Sequence, residues 1–331
     1  MSDGKNVYVK GATQISVQQP LSEEWLTAPL RNEEPYTRSV DPNFREWLNP
    51  LESRRLGKIL KRALVTSMKV MKDTGVSQPD AIITGTGLGC IENTELFLGQ
   101  LCREGEEMLK PTYFMQSTHN TISSLIAIQG KCHGYNSTYS HKSVSFDSAL
   151  FDAFVQMRVG DVSNALVTGN DEMTPSYFSI LRRTGYIGQP GQVTASEVSV
   201  AMMLSVECED VLCEIVDMRL WSGEQSLEEL PHDVDAIMVG VNGNTQNDIF
   251  YKPMMEHYAA VPQLQYKHLF GECYTVSGLG VYAAAHLLAK GSVPASMRCD
   301  GKDEPVKVNR LLLLNHSDGE NYSYVLMERL V

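Results

Sequence analysis

The segment SHKSVSFDSALFDAFVQMRVGDVSNALVTGND, residues 140–171, narrows the possible folds most. A polar, β-prone stretch crowded with small residues turns directly into a helix carrying Ala149, Leu150, Ala153, Phe154 and Met157 on one face. Arg158-Val159-Gly160 stops the helix, because glycine adopts the left-handed cap without steric cost. The apolar strand NALVTG follows at once. A helix with one apolar face between two extended segments has to cover a sheet. The same alternation recurs along the chain and predicts an α/β fold. Strand patterns fall at 7–11, 80–84, 135–143, 165–168, 199–206, 213–220, 236–241, 311–314 and 324–327. Helical spacing covers 53–74, 93–104, 121–129, 148–159, 249–258 and 278–289. Residues 12–50 read as irregular, since Pro20, Pro29, Pro35, Pro42 and Pro50 interrupt any long element.

A weak internal repeat accompanies this pattern. Laying Gly160 on Gly291 puts Ala153 on Ala284, and each glycine is followed by an apolar strand, NALVTG in one case and RLLLLN after a loop in the other. Two similar halves are expected, 1–206 and a shorter 207–331. GTGLGC at 85–90 invites a dinucleotide reading, but Cys90 stands where the fingerprint needs its third glycine and no lone acid ends a second strand about 20 residues on. A tight strand-to-helix turn accounts for it better.

Composition excludes several functions. The formal net charge of -12 disfavours nucleic acid and anionic membranes as main partners. No apolar run reaches the roughly 18 residues of a membrane span, and the polar N-terminus lacks a signal-peptide core. Seven scattered cysteines without a CxxC pair suggest reduced thiols in the cytoplasm and no zinc site. One local exception to the acidity is ESRRLGKILKRAL, with Arg54, Arg55, Lys58, Lys61 and Arg62. It reads as a solvated helix face or as a landing patch for an acidic partner.

Several stretches together resemble the β-ketoacyl synthases of the thiolase fold: RRLGKILKRALVTSMKVMKDTGV, PDAIITGTGLGCIENTELFL, the 140–171 segment, ASEVSVAMMLSVE, KHLFGECYTVSGLGVYAAAHLL and LLLLNHSDGENYSYVL. The likeness runs from about residue 5 to the end, in order and spacing more than in identity. It implies a five-layered αβαβα fold of two similar halves. It also implies condensation of an acyl group with a malonyl unit on an acyl carrier protein, without a cofactor. Such enzymes place a cysteine nucleophile at the start of a buried helix, and two histidines assist decarboxylation.

Carried over by position, the match fails at the chemistry. The cysteine position holds Ser143, counted back from Gly160. One histidine position holds Glu272, within KHLFGEC, and the other falls on Gly240 or Asn242 in GVNGNTQND. Lys267 matches the family lysine and Glu197 the acid before a central strand. His268 and His316 are the remaining imidazoles that could assist. A helix dipole contributes about 2 kcal/mol at best, or about 1.5 pKa units at roughly 1.36 kcal/mol each, too little to activate a serine. Ser143 is read most simply as a helix cap. Glu272 puts a carboxylate where the reaction needs a donor worth about 3 kcal/mol; it either repels a malonyl group or is protonated by burial.

The resemblance therefore implies a non-catalytic partner resembling a chain-length factor, paired with a ketosynthase homologue or with itself through the strand near 135–143, with 112–117 close by. Arg54, Arg55 and Lys58 would receive the acyl carrier protein. The alternative is an acyltransferase or thioester hydrolase with Ser143 as nucleophile and His268, His316 or Glu272 as base.

Overall fold

The computed structural model describes residues 4–107, 109–223 and 227–330. Its strands are β1 (Val7–Ile15), β2 (Ala81–Gly85), β3 (Tyr135–Tyr139), β4 (Asn164–Asp171), β5 (Val198–Ser205), β6 (Cys213–Ser222), β7 (Ala236–Val239), β8 (Gln263–Gln265), β9 (Ser292–Val293), β10 (Val306–Lys307), β11 (Arg310–Ser317) and β12 (Asn321–Glu328). Apart from the small β9–β10 pair they form one sheet, in the order β3-β2-β4-β5-β1-β6-β12-β11-β7-β8.

That order reads the same from either end. β2, β3 and β4 are parallel, and β5 and β1 follow antiparallel. From the other edge β8, β7 and β11 are parallel, and β12 and β6 follow antiparallel. The two runs meet where Val7, Tyr8 and Val9 pair with Ile215, Glu214 and Cys213. The repeated glycines cap matching helices. Gly160 ends Ser145–Val159 and Gly291 ends Ser277–Lys290, both left-handed, with φ of 87° and 72°.

Alternation along the strands sorts the apolar side chains into layers. Ala165 and Val167 of β4 face the central core with Leu311 and Leu313 of β11. Both glycine-capped helices supply that core: Phe146, Leu150 and Met157 from one, Leu279, Ala283 and Leu287 from the other. Leu166 turns outward to the Lys58–Thr74 helix, and Leu312 and Leu314 turn outward to Tyr251 and Met254. Helices thus lie between the two halves of the sheet and outside each, which is the five-layered α/β arrangement. The outer layer is unequal. Three long helices, Lys58–Thr74, Ile91–Glu104 and Thr121–Gly130, belong to the first half. Short turns such as Thr245–Asp248 and Lys252–His257 cover the second.

Several predicted boundaries need correction. The helix expected over 53–74 starts at Lys58, with Gly57 in its N-cap position in an extended conformation. Arg54 and Arg55 therefore sit in the turn before it, after a separate Pro50–Ser53 turn. Arg62 is not part of a solvated face. It is 1% exposed and bound to Glu197 at 2.8 Å and to Asp41. The 135–143 strand stops at Tyr139, and the 249–258 helix divides into the two short turns. β1 extends to Ile15, into the stretch read as irregular.

Candidate functional site

Asp171 at the end of β4 explains the glycine-rich turn. Its carboxylate accepts from the Gly87 and Leu88 amides at 2.9 Å and from the Thr86 hydroxyl at 3.2 Å. The donors that a phosphate would need are already used by the protein. A side chain at Gly87 would strike Tyr274, whose Cβ and nearest ring atoms lie 2.4–2.7 Å from an added Cβ. Burial raises the Asp171 pKa to about 6 against the opposing pull of these donors.

Ser143 lies in the single turn Lys142–Val144 that leads into the Ser145–Val159 helix. It does not cap that helix. Val144 occupies the N-cap position without a side-chain hydrogen bond. Ser145 ties the turn instead, accepting from the His141 amide at 2.8 Å and donating to the Lys142 carbonyl at 2.6 Å. Lys142 is left-handed, with φ of 45°, and pairs with Asp318 at 2.8 Å. The Ser143 carbonyl accepts from Asn315 of β11 at 2.8 Å.

Glu272, Asn242 and Lys267, which the resemblance sets at the two histidine positions and the family lysine, meet. Glu272 Oε2 accepts from Asn242 Nδ2 at 2.6 Å and from Lys267 Nζ at 2.8 Å. All three side chains are buried. Each is positioned by local backbone chemistry. Asp248 accepts from the amides of Asn242 and Gly243, folding GVNGNTQND into a tight loop. Lys267 starts the short Lys267–Phe270 helix. Glu272 is pinned by backbone bonds to Thr194 and Ser196. Asn242, rather than Gly240, faces Glu272. Gly240 lies against Tyr251 and Lys267, where an added Cβ would meet the Tyr251 hydroxyl at 2.5 Å. An ammonium and an amide thus hold the same Glu272 carboxylate oxygen.

The remaining imidazoles are engaged elsewhere. His316 Nε2 donates to the Asn247 carbonyl at 3.1 Å, and Nδ1 accepts from the Gly319 amide at 3.4 Å. The ring packs on Tyr251 with centroids 4.4 Å apart. Burial, with the nearby Lys267 charge, lowers its pKa to about 4. His268 lies against the Ser296 backbone, and burial lowers its pKa as well. Among the described residues neither ring hydrogen-bonds to Ser143, Asn242 or Glu272. Arg54 and Arg55 are exposed, while Lys58 is tied to Asp41 at 3.0 Å. Arg54 lines a groove of about 360 Å³ with Arg45, Lys61, Phe44 and Leu48.

Sequence reasoning missed two features. Asp147, in the first turn of the Ser145–Val159 helix, is fully buried and accepts from Ser277 and Ser323 at 2.6 Å and from Asn315 at 3.1 Å. An acid followed by the apolar face of a buried helix was its only signal. Tyr186 sits beside Ser143, and with Glu272, Cys273 and Tyr274 it lines a void of about 10 Å³. Its flanking Gly185 and Gly188 marked a turn, not a direction.

The fold and these positions define a scaffold of the condensing-enzyme type. The family description "beta-ketoacyl synthase, N-terminal domain" matches residues 25–248. The chain belongs to the β-ketoacyl synthase family. No curated protein sequence matches it. Among solved structures it is similar to the ishigamide ketosynthase/chain length factor, at 16% identity and a TM-score of 0.78, covering 99% of this chain and 100% of that one. A type II polyketide ketosynthase assembly with its acyl carrier protein, AntDE:AntF, aligns at 12% identity and a TM-score of 0.79 over 99% and 100%. The complex of ketosynthase ApeO with chain length factor ApeC from Xenorhabdus doucetiae aligns at 13% and 0.77 over 98% of each chain. Among the described residues no helix is long and apolar enough to cross a membrane.

Proposed function

We propose that this protein is a non-catalytic, chain-length-factor-like partner of a ketosynthase, acting in fatty acid, polyketide or aryl-polyene-type synthesis. The closed Lys267–Glu272–Asn242 cluster carries this reading. Decarboxylation develops negative charge on a thioester oxygen and needs free donors aimed at it. Here the lysine and the asparagine amide both point a donor at an internal carboxylate. Of the candidate bases for Ser143, His316 has both nitrogens on backbone groups, and Glu272 is held by Lys267 and Asn242. Acyl transfer by Ser143 would require a base.

Pairing is assigned to β3, the outermost strand of its half of the sheet. Its free edge is flanked by exposed Ile128, Tyr135 and Val155. Joining it to the equivalent strand of a homologue extends the sheet and covers these side chains. The exposed Arg54 and Arg55 suit an acidic carrier protein. The chain is divided into halves at 1–206 and 207–331, in keeping with the mirrored strand order, and placed in the cytoplasm, where its free cysteines remain reduced.

The test is co-expression with ketosynthases that retain the cysteine, followed by mass spectrometry after exposure to acyl carrier thioesters. Stable co-purification with acyl adducts only on the synthase is expected. An adduct on Ser143, lost in Ser143→Ala, would instead make the protein an acyltransferase or thioester hydrolase.

A further inference from the structure

The space beside Ser143 is filled from within. The loop after the Pro175–Arg183 helix reads TGYIGQPGQ, and Gly185, Gly188 and Gly191 are all left-handed, with φ of 78°, 78° and 84°. Three such residues give the loop a shape that other side chains adopt only under strain. It directs Tyr186 toward Ser143 while Ile187 is 2% exposed. The loop is fixed from outside: Asn244 Nδ2 donates to the Tyr186 carbonyl at 3.0 Å, and the Val193 amide to the Asn242 carbonyl at 2.9 Å. Opposite Tyr186, Tyr274 meets Tyr177 hydroxyl to hydroxyl at 3.1 Å. Leu88, Met173, Leu181 and Ile187 form apolar walls, and Glu272 marks the polar end. The cavity left is about 10 Å³, room for about one water.

We propose that Tyr186 is a built-in plug: its ring occupies a latent site for a short acyl chain or a phenol-sized ligand, and keeps that site closed. An aliphatic or aromatic body would lie against Leu88, Met173, Leu181 and Ile187, with its hydroxyl or carbonyl toward Ser143. This rests on the non-catalytic reading and extends it. With Tyr186 in place, an acyl chain delivered to a pair must lodge on the synthase side, and none is held idle here.

Shortening the plug creates a cavity whose matching ligand is the lost side chain itself, 4-methylphenol. Full-length Tyr186→Ala is expected to have a lower Tm than wild type. Its Tm should rise with 4-methylphenol, less with toluene, which lacks the hydroxyl, because a ligand that binds only the folded state stabilises it. S-hexanoyl-N-acetylcysteamine should bind the variant at least about tenfold more tightly than wild type by calorimetry. Tyr186→Phe keeps the ring and should stay closed to both. If Tyr186→Ala does not fold unaided, 4-methylphenol present during refolding must restore it. Failure of that rescue, a folded variant that takes up neither probe, or wild type binding the thioester as tightly as the variant would overturn the proposal. Synthase co-purification is measured on the same proteins. Loss of pairing by wild type would sink the proposed function alone, whereas a variant that pairs but stays closed would sink the plug alone.

Discussion

Two buried carboxylates, Asp147 and Glu272, stand in contrast. Asp147 receives three neutral donors, from Ser277, Asn315 and Ser323. They come from the second central helix, β11 and β12, so one carboxyl ties four elements across the mirrored halves. Burial raises its pKa, against the pull of those donors. Glu272 receives an ammonium five residues away and one amide from a neighbouring loop. Its ties lie within the second half and in the 194–196 backbone. The first arrangement joins elements of the two halves; the second stays local to one pocket.

The largest effect expected from this contrast is at Lys267. Replacing it by Met leaves the Glu272 charge buried and unpaired, at a cost of about 3–5 kcal/mol in urea unfolding. The double variant Lys267→Met, Glu272→Gln should recover most of that loss, because a neutral amide can still accept from Asn242. Asp147→Ala strands three buried donors on three elements and should cost about 3 kcal/mol. No single second change repairs it. If Lys267→Met proved neutral, or Asp147→Ala were rescued by one partner substitution, the contrast would collapse.

Carboxylates held only by neutral donors also leave a signature in pH. Glu172 accepts from the Glu92 amide at 3.0 Å. Burial, with the Glu92 and Glu197 charges, raises its pKa from 4.5 to about 7. The folded protein then keeps a proton that the unfolded chain releases. This stabilisation is full below about pH 4.5 and is lost as pH rises to about 7, up to about 3 kcal/mol at roughly 1.36 kcal/mol per unit. Asp171 acts in the same sense between 3.8 and about 6. Thermal unfolding from pH 4.5 to 8 should show Glu172→Gln flattening the decline, and an unchanged slope would rule the assignment out.

What the sequence made legible was whatever depends on local period and on glycine. The central strands, both capped helices and the thiolase-like layering follow from apolar spacing and from Gly160 and Gly291. The helix start at Lys58 was missed because Leu56 continues the apolar period through Gly57, where the backbone leaves the helix. The Pro175–Arg183 helix was missed because it is short, follows Pro175 and buries none of its residues. At the site, positional counting located Ser143, Asn242, Lys267 and Glu272 but not how they pair. That Lys267 and Asn242 share one oxygen, or that Tyr186 fills the space by Ser143, depends on contacts between segments some 30 to 45 residues apart, which leave no periodic trace.

The smallest effect concerns the surface. Carrier docking was assigned to Arg54, Arg55 and Lys58, yet Lys58 is already paired with Asp41, and Arg54 shares its groove with Arg45 and Lys61. Arg54→Glu with Arg55→Glu should weaken acyl carrier protein binding at low salt, and the difference should shrink above about 0.1 M salt, where the screening length falls to about 10 Å. Stability should change by no more than about 0.5 kcal/mol, since both side chains are exposed and lie outside the helix. Lys58→Ala should affect binding less, because its charge is already half spent on Asp41. If Lys58→Ala weakened the carrier as much as the double reversal does, docking would follow the Lys58–Thr74 helix itself and not the turn and groove before it.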